Sequence, residues 1–274
     1  MSKTLQLKVR PLHVPLRTTF KQASSTRNLG ESIWCEAHRD NLTGYGEGCP
    51  RIYVTNETVE TGLVWLNQIL PELAIQCDSL ATLQIWMSDN RAIIDQHPAA
   101  FCALETALLD LFAREKGQNV ETLLGWMPPQ NVYQYTAVLG DSSEEKFKAL
   151  IQRYLSMGFT DFKVKINGQL NIDQQKLKNI QLLCQDKKMA NYRIRLDANN
   201  LWAGKTTTAI KYLSQLDGPF LGIEEPIEPK NYPDLSRISE ALNIPIILDE
   251  SLCNLTDLAN LNQVSGQFLS LIHI

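Results

Sequence analysis

The chain has little of several things, and each scarcity removes a class of function. No apolar run in its 274 residues approaches the ~20 needed to span a bilayer, so no membrane partner is expected. The opening residues, Met1-Ser2-Lys3-Thr4-Leu5-Gln6, lack the apolar core of a secretory signal. Positive charge is not in excess: 26 Lys and Arg against 30 Asp and Glu leave a net charge of −4, which gives no support for nucleic-acid binding. There are only four histidines (13, 38, 97 and 273), in no catalytic spacing. The six cysteines (35, 49, 77, 102, 184 and 253) are scattered without metal-ligand spacing, so reduced, mostly buried thiols in a cytoplasmic protein are expected. Gly44-Tyr45-Gly46-Glu47-Gly48 lacks the spacing and the following Lys-Ser/Thr of a phosphate loop and reads as a hairpin turn. Ser251 has no His partner in a hydrolase pattern. What remains is the composition of an ordinary soluble globular protein, 44% apolar and 20% charged.

What is present is a rhythm in the C-terminal half. Three short apolar runs each end in an acid: one at Asp197 and Asn199, one at Glu224-Glu225-Pro226, one at Asp249-Glu250-Ser251. Asp197, Glu224 and Asp249 are 27 and 25 residues apart, the length of a strand, a helix and two loops. Repeated βα units of that size build a parallel barrel, in which residues at strand C-termini converge on one face. A lone acid at a strand end is most often a cap or a surface charge. Three at this spacing would repel one another unless a cation sat among them, and hard oxygen donors without His or Cys suit Mg²⁺. A fourth run, Phe162-Lys163-Val164-Lys165-Ile166, lies one unit upstream, and its alternation sends Lys163 and Lys165 to the same face. Two ammonium groups at that distance disfavour each other's charge, which lowers the lysine pKa towards that of a usable base. A metal site beside such a strand suggests abstraction of a proton alpha to a carboxylate.

The remaining pattern places these motifs. Residues 4–9 alternate like a half-buried strand, 18–30 read as a long polar loop, and 32–38 and 45–48 read as strands across a turn at 40–44. Helices are expected over 57–75, with Pro71 near its end, over 80–94, and over 98–116 with an Ala-rich face for close packing. Pro128-Pro129 marks a boundary between an α+β domain (1–127) and a barrel domain (128–274). Beyond it, strands and helices alternate through five units, with a helix at 255–261 and a sixth strand from Gln267. A complete eight-unit barrel takes roughly 250 residues, so this α/β barrel is expected to be incomplete at its C-terminus.

Together the motifs Phe-Lys-Val-Lys-Ile (162–166), Leu-Asp-Ala-Asn (196–199), Ile-Glu-Glu-Pro (223–226) and Leu-Asp-Glu-Ser (248–251) resemble the enolase superfamily. The likeness is to its muconate lactonizing enzyme subgroup, with the dipeptide epimerases and o-succinylbenzoate synthases. Gly46-Glu47 and Pro50-Arg51 resemble the hairpin and following loop of that family's N-terminal capping domain. The resemblance implies a TIM-type barrel behind a capping domain, with Asp197, Glu224 and Asp249 as Mg²⁺ ligands, Lys165 as the base and Lys163 as the neighbour that lowers its pKa. Glu225 and Glu250 would support the ligands. Phe20, Arg27, Arg51, Tyr53 and Asn199 would contact substrate, with the 18–30 and 50–54 segments lying over the barrel mouth. The family's further lysine, at the end of the sixth strand, has no counterpart; His273 is the only titratable group in that stretch. The implied partner is a small-molecule carboxylate, with a homo-oligomer admitted for a full-length form. The implied reaction is Mg²⁺-dependent proton abstraction through an ene-diolate, in a racemase or epimerase of dipeptides or N-acyl amino acids. An o-succinylbenzoate synthase-like dehydratase or a cycloisomerase stands as the alternative, and so does an inactive fragment that keeps only the metal-binding acids.

Overall fold

The computed structural model describes residues 4–22, 25–127, 133–253, 257–259 and 268–270, with backbone alone at 18–22, 25–27 and 268–270. Residues 1–20 and 26–131 form one compact unit; residues 21–25 and 132–274 form a second.

The first unit carries a three-stranded sheet in the order β1 (Gln6–Gln22), β2 (Ser25–Arg39), β3 (Leu42–Gly48). Its first two strands are longer than apolar alternation alone suggests. The stretch expected as a polar loop over 18–30 is strand throughout its described part. A backbone ladder does not need apolar side chains, and Thr18, Thr19 and Thr26 are β-branched residues that suit extended backbone. β2 and β3 are antiparallel across Asp40-Asn41, with Asp40 in the left-handed conformation (φ +53°) that a two-residue turn requires.

The glycines at 44, 46 and 48 are not a turn. They occupy alternate positions of β3 and lie flat on helix α4 (Pro98–Glu115). A Cβ on Gly44 would come within 2.2 Å of Ala107 O, on Gly46 within 2.0 Å of Ala103 O, and on Gly48 within 2.0 Å of Ala99 O. Two strand residues advance about 6.8 Å and four helix residues about 6 Å, so both small-residue stripes stay in step. The Ala-rich face of α4 thus finds its neighbour in β3. The first turn of α4 is capped from a distance: the buried Glu57 carboxylate accepts from Ala99 N (2.8 Å) and Ala100 N (3.1 Å). Helix α1 (Val59–Gln76) begins at a Thr58/Thr61 capping box and, as expected, carries Pro71 near its end. The segment expected as one helix over 80–94 is two, α2 (Leu80–Asp89) and α3 (Arg91–Ile94). Between them the side-chain amide of Asn90 donates to Trp86 O at 2.9 Å, the kind of local bond that competes with helix continuation. A short α5 (Val120–Leu123) follows α4.

The second unit alternates strand and helix: β4 (Thr136–Leu139), α6 (Glu144–Ser156), β5 (Asp161–Lys165), α7 (Leu170–Asp186), β6 (Arg193–Asp197), α8 (Thr206–Leu213), β7 (Phe220–Glu224), α9 (Tyr232–Leu242), β8 (Ile246–Leu248) and β9 (Phe268–Ser270). The six strands pair in sequence order and all run parallel. Of the helix expected at 255–261, residues 257–259 are described and helical; His273 lies outside the described residues. The architecture is α/β, an antiparallel-sheet unit followed by a parallel-sheet unit.

Strand alternation divides the parallel sheet by face. Phe162 and Val164, Ile194 and Leu196, Ile223, Ile246 and Leu248 pack into one core with Phe147 and Ile151 of α6, Leu177 and Ile180 of α7, Leu213 of α8 and Leu235 of α9. The intervening residues Lys163, Lys165, Arg195, Asp197, Gly222 and Glu224 therefore project to the opposite face. Burial of the apolar set, worth roughly 2 kcal/mol per fully covered large side chain, is what commits the charged set to one side.

Candidate active site

Sheet register brings the charged residues level. Lys165 pairs with Asp197, Asp197 with Glu224, and Glu224 with Ile247, so one row across four strands carries a lysine, two acids and an isoleucine. Lys163 lies one step lower on β5, and Asp249 lies two residues beyond Ile247 on the same alternation. Lys163 Nζ sits 2.5 Å from Glu224 Oε1 and 2.9 Å from Asp197 Oδ2. Lys165 Nζ lies 3.1 Å from the same Asp197 oxygen and donates to Asn199 Oδ1 at 2.7 Å. Asn199 returns to Asp197 through its backbone, its N–H donating to Oδ1 at 3.2 Å.

Asp249 is exposed and makes no ion pair among the described residues, but it feels the cluster. Partial burial raises its pKa, Lys163 opposes, Asp197 adds to the rise and Lys165 opposes again. Glu225 reaches behind it: its carboxylate accepts from Asp249 N (3.0 Å), Ser251 N (2.8 Å) and Ser251 Oγ (3.0 Å). Those bonds hold the turn after β8 and offset the left-handed backbone of Glu225 itself (φ +37°), a conformation that costs a residue with a Cβ about 1 kcal/mol or more. Glu250 is half-buried with Oε2 unpartnered, and burial followed by the Asp249 charge pushes its pKa up to about 7.

Burial dominates the electrostatics of the site. Burial and the Asp197 carboxylate push Glu224 up to about 7 although Lys163 pulls the other way. Its Oε2 is buried with no hydrogen-bond partner among the described residues. Asp197 Oδ2 touches both ammonium groups without hydrogen-bond geometry to either. Lys163 departs from the expectation for a lysine pair. Burial works to lower its pKa, but the Asp197 and Glu224 carboxylates outweigh it, so the net shift is upward. In this arrangement its ammonium bridges the two acids as a cation.

Among the described residues no group of three His, Cys, Asp or Glu side chains stands ready to hold a metal ion. The donor chemistry nevertheless fits a hard divalent cation: carboxylate oxygens, with Glu224 Oε2 buried and without a hydrogen-bond partner among the described residues. Of the residues expected at substrate, Asn199 lies in the cluster. Arg51 belongs to the first unit, where it donates to the carbonyls of Glu31 (2.8 Å) and Pro50 (2.5 Å), and Tyr53 is partly exposed there. The side chains of Phe20 and Arg27 lie outside the described residues.

Sequence reasoning did not anticipate a second charged group. Asp173 and Lys176 occupy the buried side of α7, i and i+3, and bond each other at 2.9 Å. The available signal was that spacing, on a helix whose apolar stripe runs through Leu177 and Ile180.

Residues 146–266 match the enolase C-terminal domain-like family. The L-Ala-D/L-Glu epimerase of Francisella tularensis subsp. novicida is 27% identical over 264 residues, covering 94% of this chain and 71% of that protein. The o-succinylbenzoate synthase of Geobacillus stearothermophilus is 25% identical over 252 residues, 91% of this chain and 64% of that protein. Among solved structures, the dipeptide epimerase of Cytophaga hutchinsonii complexed with Mg and the dipeptide D-Ala-L-Val superposes with a TM-score of 0.76 at 26% identity, over 96% of this chain and 69% of that one. Those likenesses, added to the lysine strand and the three acid-terminated strands, make the chain similar to members of the enolase superfamily.

Proposed function

We propose that this protein abstracts the proton alpha to a substrate carboxylate and returns it, as a racemase or epimerase of dipeptides or N-acyl amino acids. The observation that carries the proposal is the level row of Lys165, Asp197 and Glu224 on three adjacent parallel strands, with Lys163 tying the two acids together at 2.5 and 2.9 Å. Asp197, Glu224 and Asp249 would hold Mg²⁺, with Glu225 fixing the backbone of Asp249 and Glu250 lying alongside. When bound, the ion would supply positive charge beside the substrate carboxylate, where negative charge develops as the alpha proton leaves.

The chain's own residues supply the rest. Lys165 is the base: it stands at the C-terminal end of its strand, and its amine is held between Asn199 Oδ1 and Asp197, which fixes its direction. Lys163 is its neighbour through the shared Asp197 oxygen, so moving either amine moves the other's partner. The parallel sheet is proposed to be part of a TIM-type barrel spanning 128–274, with 1–127 as the capping domain, in a cytoplasmic enzyme acting on small molecules. The second reading, an o-succinylbenzoate synthase-like dehydration, is favoured by the likeness to the Geobacillus enzyme and would use the same proton abstraction.

A panel of dipeptides and N-acyl amino acids, followed by chiral chromatography with Mg²⁺ present, tests the reading. Interconversion of epimers is the expected result. Formation of an aromatic product from a cyclohexadienyl carboxylate, without epimerisation of any dipeptide, would favour dehydration instead.

A further inference from the structure

Just past Lys165 the chain turns through Ile166, Asn167, Gly168 and Gln169 into α7, and a buried charged network is built under that turn. Asp173, fully buried, accepts from Asn167 N (3.1 Å), Gly168 N (3.1 Å), Tyr212 Oη (2.7 Å) and Lys176 Nζ (2.9 Å). Lys176, 5% exposed, has three acceptors for its three ammonium hydrogens: Asp173 Oδ1, Asp141 Oδ1 (2.5 Å) and the backbone carbonyl of Lys165 (2.9 Å). The turn tolerates little else. Gly168 has φ +80°, and a Cβ there would lie 2.9 Å from Leu201 Cδ2, in the segment that follows Asp197.

A buried ion pair of this kind is weak evidence for stability, because desolvation of both charges offsets most of their attraction. Here its geometry has a specific consequence. The carbonyl it grips belongs to Lys165, whose side chain swings from the adjacent Cα and must place Nζ between Asn199 Oδ1 and Asp197 Oδ2. Displacement of a reacting group by about 1 Å can cost on the order of 100-fold in rate.

We propose that Lys176, locked by Asp173, is a positioning residue for the reaction: it fixes the backbone of Lys165 and so aims its amine. The inference rests on Lys165 being the base, and its test separates the two ideas. Lys176→Met and Lys176→Arg are made in the full chain, with Tyr212→Phe as a milder variant that removes one bond to Asp173. Two experiments are run: kinetics of alpha-proton exchange with Mg²⁺ present, giving kcat and KM, and the rate at which an amine-reactive acylating reagent labels Lys165, mapped by mass spectrometry relative to Lys8. The expected result for Lys176→Met is a fall in kcat of about 10–100-fold with KM within about twofold, faster labelling of Lys165 and recovery of both in Lys176→Arg. Tyr212→Phe should move both in the same direction by less, which keeps the test decisive if Lys176→Met does not fold. Unchanged kcat in an exchanging enzyme, or unchanged labelling of Lys165, overturns the proposal. If the wild type exchanges no substrate, the base assignment fails and labelling alone decides whether Lys176 positions Lys165.

Discussion

At the scale of single residues, the structure separates groups that sequence treats alike. Of the six cysteines, Cys35, Cys77 and Cys184 are buried, whereas Cys49 and Cys102 are exposed, so the thiols are less uniformly hidden than expected. Burial pushes the Cys35 thiol up to about 12, with Glu36 adding to the effect. A thiol-reactive dye should therefore modify Cys49 and Cys102 in the folded protein and reach Cys35 only after denaturation. Tyr232 makes a second case. Its hydroxyl donates to Ser251 O at 2.8 Å, and burial, with Asp257 and Glu225 contributing, raises its pKa from 10.0 to about 12. Below pH 10 the phenol is neutral in both folded and unfolded chains. Between 10 and 12 the unfolded chain ionises first, so the stability this group contributes is lost as pH rises through that window. Tyr232→Phe should flatten the fall of melting temperature above pH 10, although it starts lower by the value of one hydrogen bond. An unchanged slope would remove Tyr232 as its source. Glu225→Ala strips three bonds from the turn after β8 and should cost roughly 2–4 kcal/mol in urea unfolding.

At the scale of elements, small residues decide how closely β3 and α4 approach. Gly46→Ala would push a methyl group to 2.0 Å from Ala103 O, a backbone atom that cannot move alone, so a loss of about 3 kcal/mol or more is expected. Gly140→Ala meets nothing within 4 Å and is not at positive φ, so it should be neutral or slightly stabilising, by up to about 1 kcal/mol. Equal melting temperatures for the two variants would contradict the packing described for β3. This contact also shows what the sequence could and could not say. The Ala-rich face of α4 was legible, but its partner looked like a turn because three glycines in five residues suggest one. The ends of β5, β6, β7 and β8 were legible because each apolar run stops at a charge. The strands over 18–22 and 25–30 were not, since a backbone ladder leaves no mark on side-chain hydropathy. Asp173 and Lys176 were hidden for a related reason: polar residues on a helix are assumed to face water, and only the fold shows them satisfying one another beneath Lys165.

At the scale of the molecule, the parallel sheet sorts its side chains into an apolar face packed on the helices and a charged face opposite. On the charged face, burial first and the Asp197 carboxylate second raise the pKa of Glu224 against the pull of Lys163, and a divalent cation there would relieve both. Mg²⁺ should therefore bind and stabilise the fold by mass action; Asp249→Asn should weaken calorimetric affinity sharply, and unchanged affinity would remove Asp249 from the ligand set. The central claim is that Lys165 removes an alpha proton beside these acids. It is tested most directly by incubating a dipeptide with the protein and Mg²⁺ in D₂O and following loss of the alpha-proton signal by NMR, for the wild type and for Lys165→Ala. The account predicts exchange in the wild type and none above background in Lys165→Ala, with Mg²⁺ affinity of the variant within a fewfold of wild type. Wild-type exchange in Lys165→Ala would contradict it.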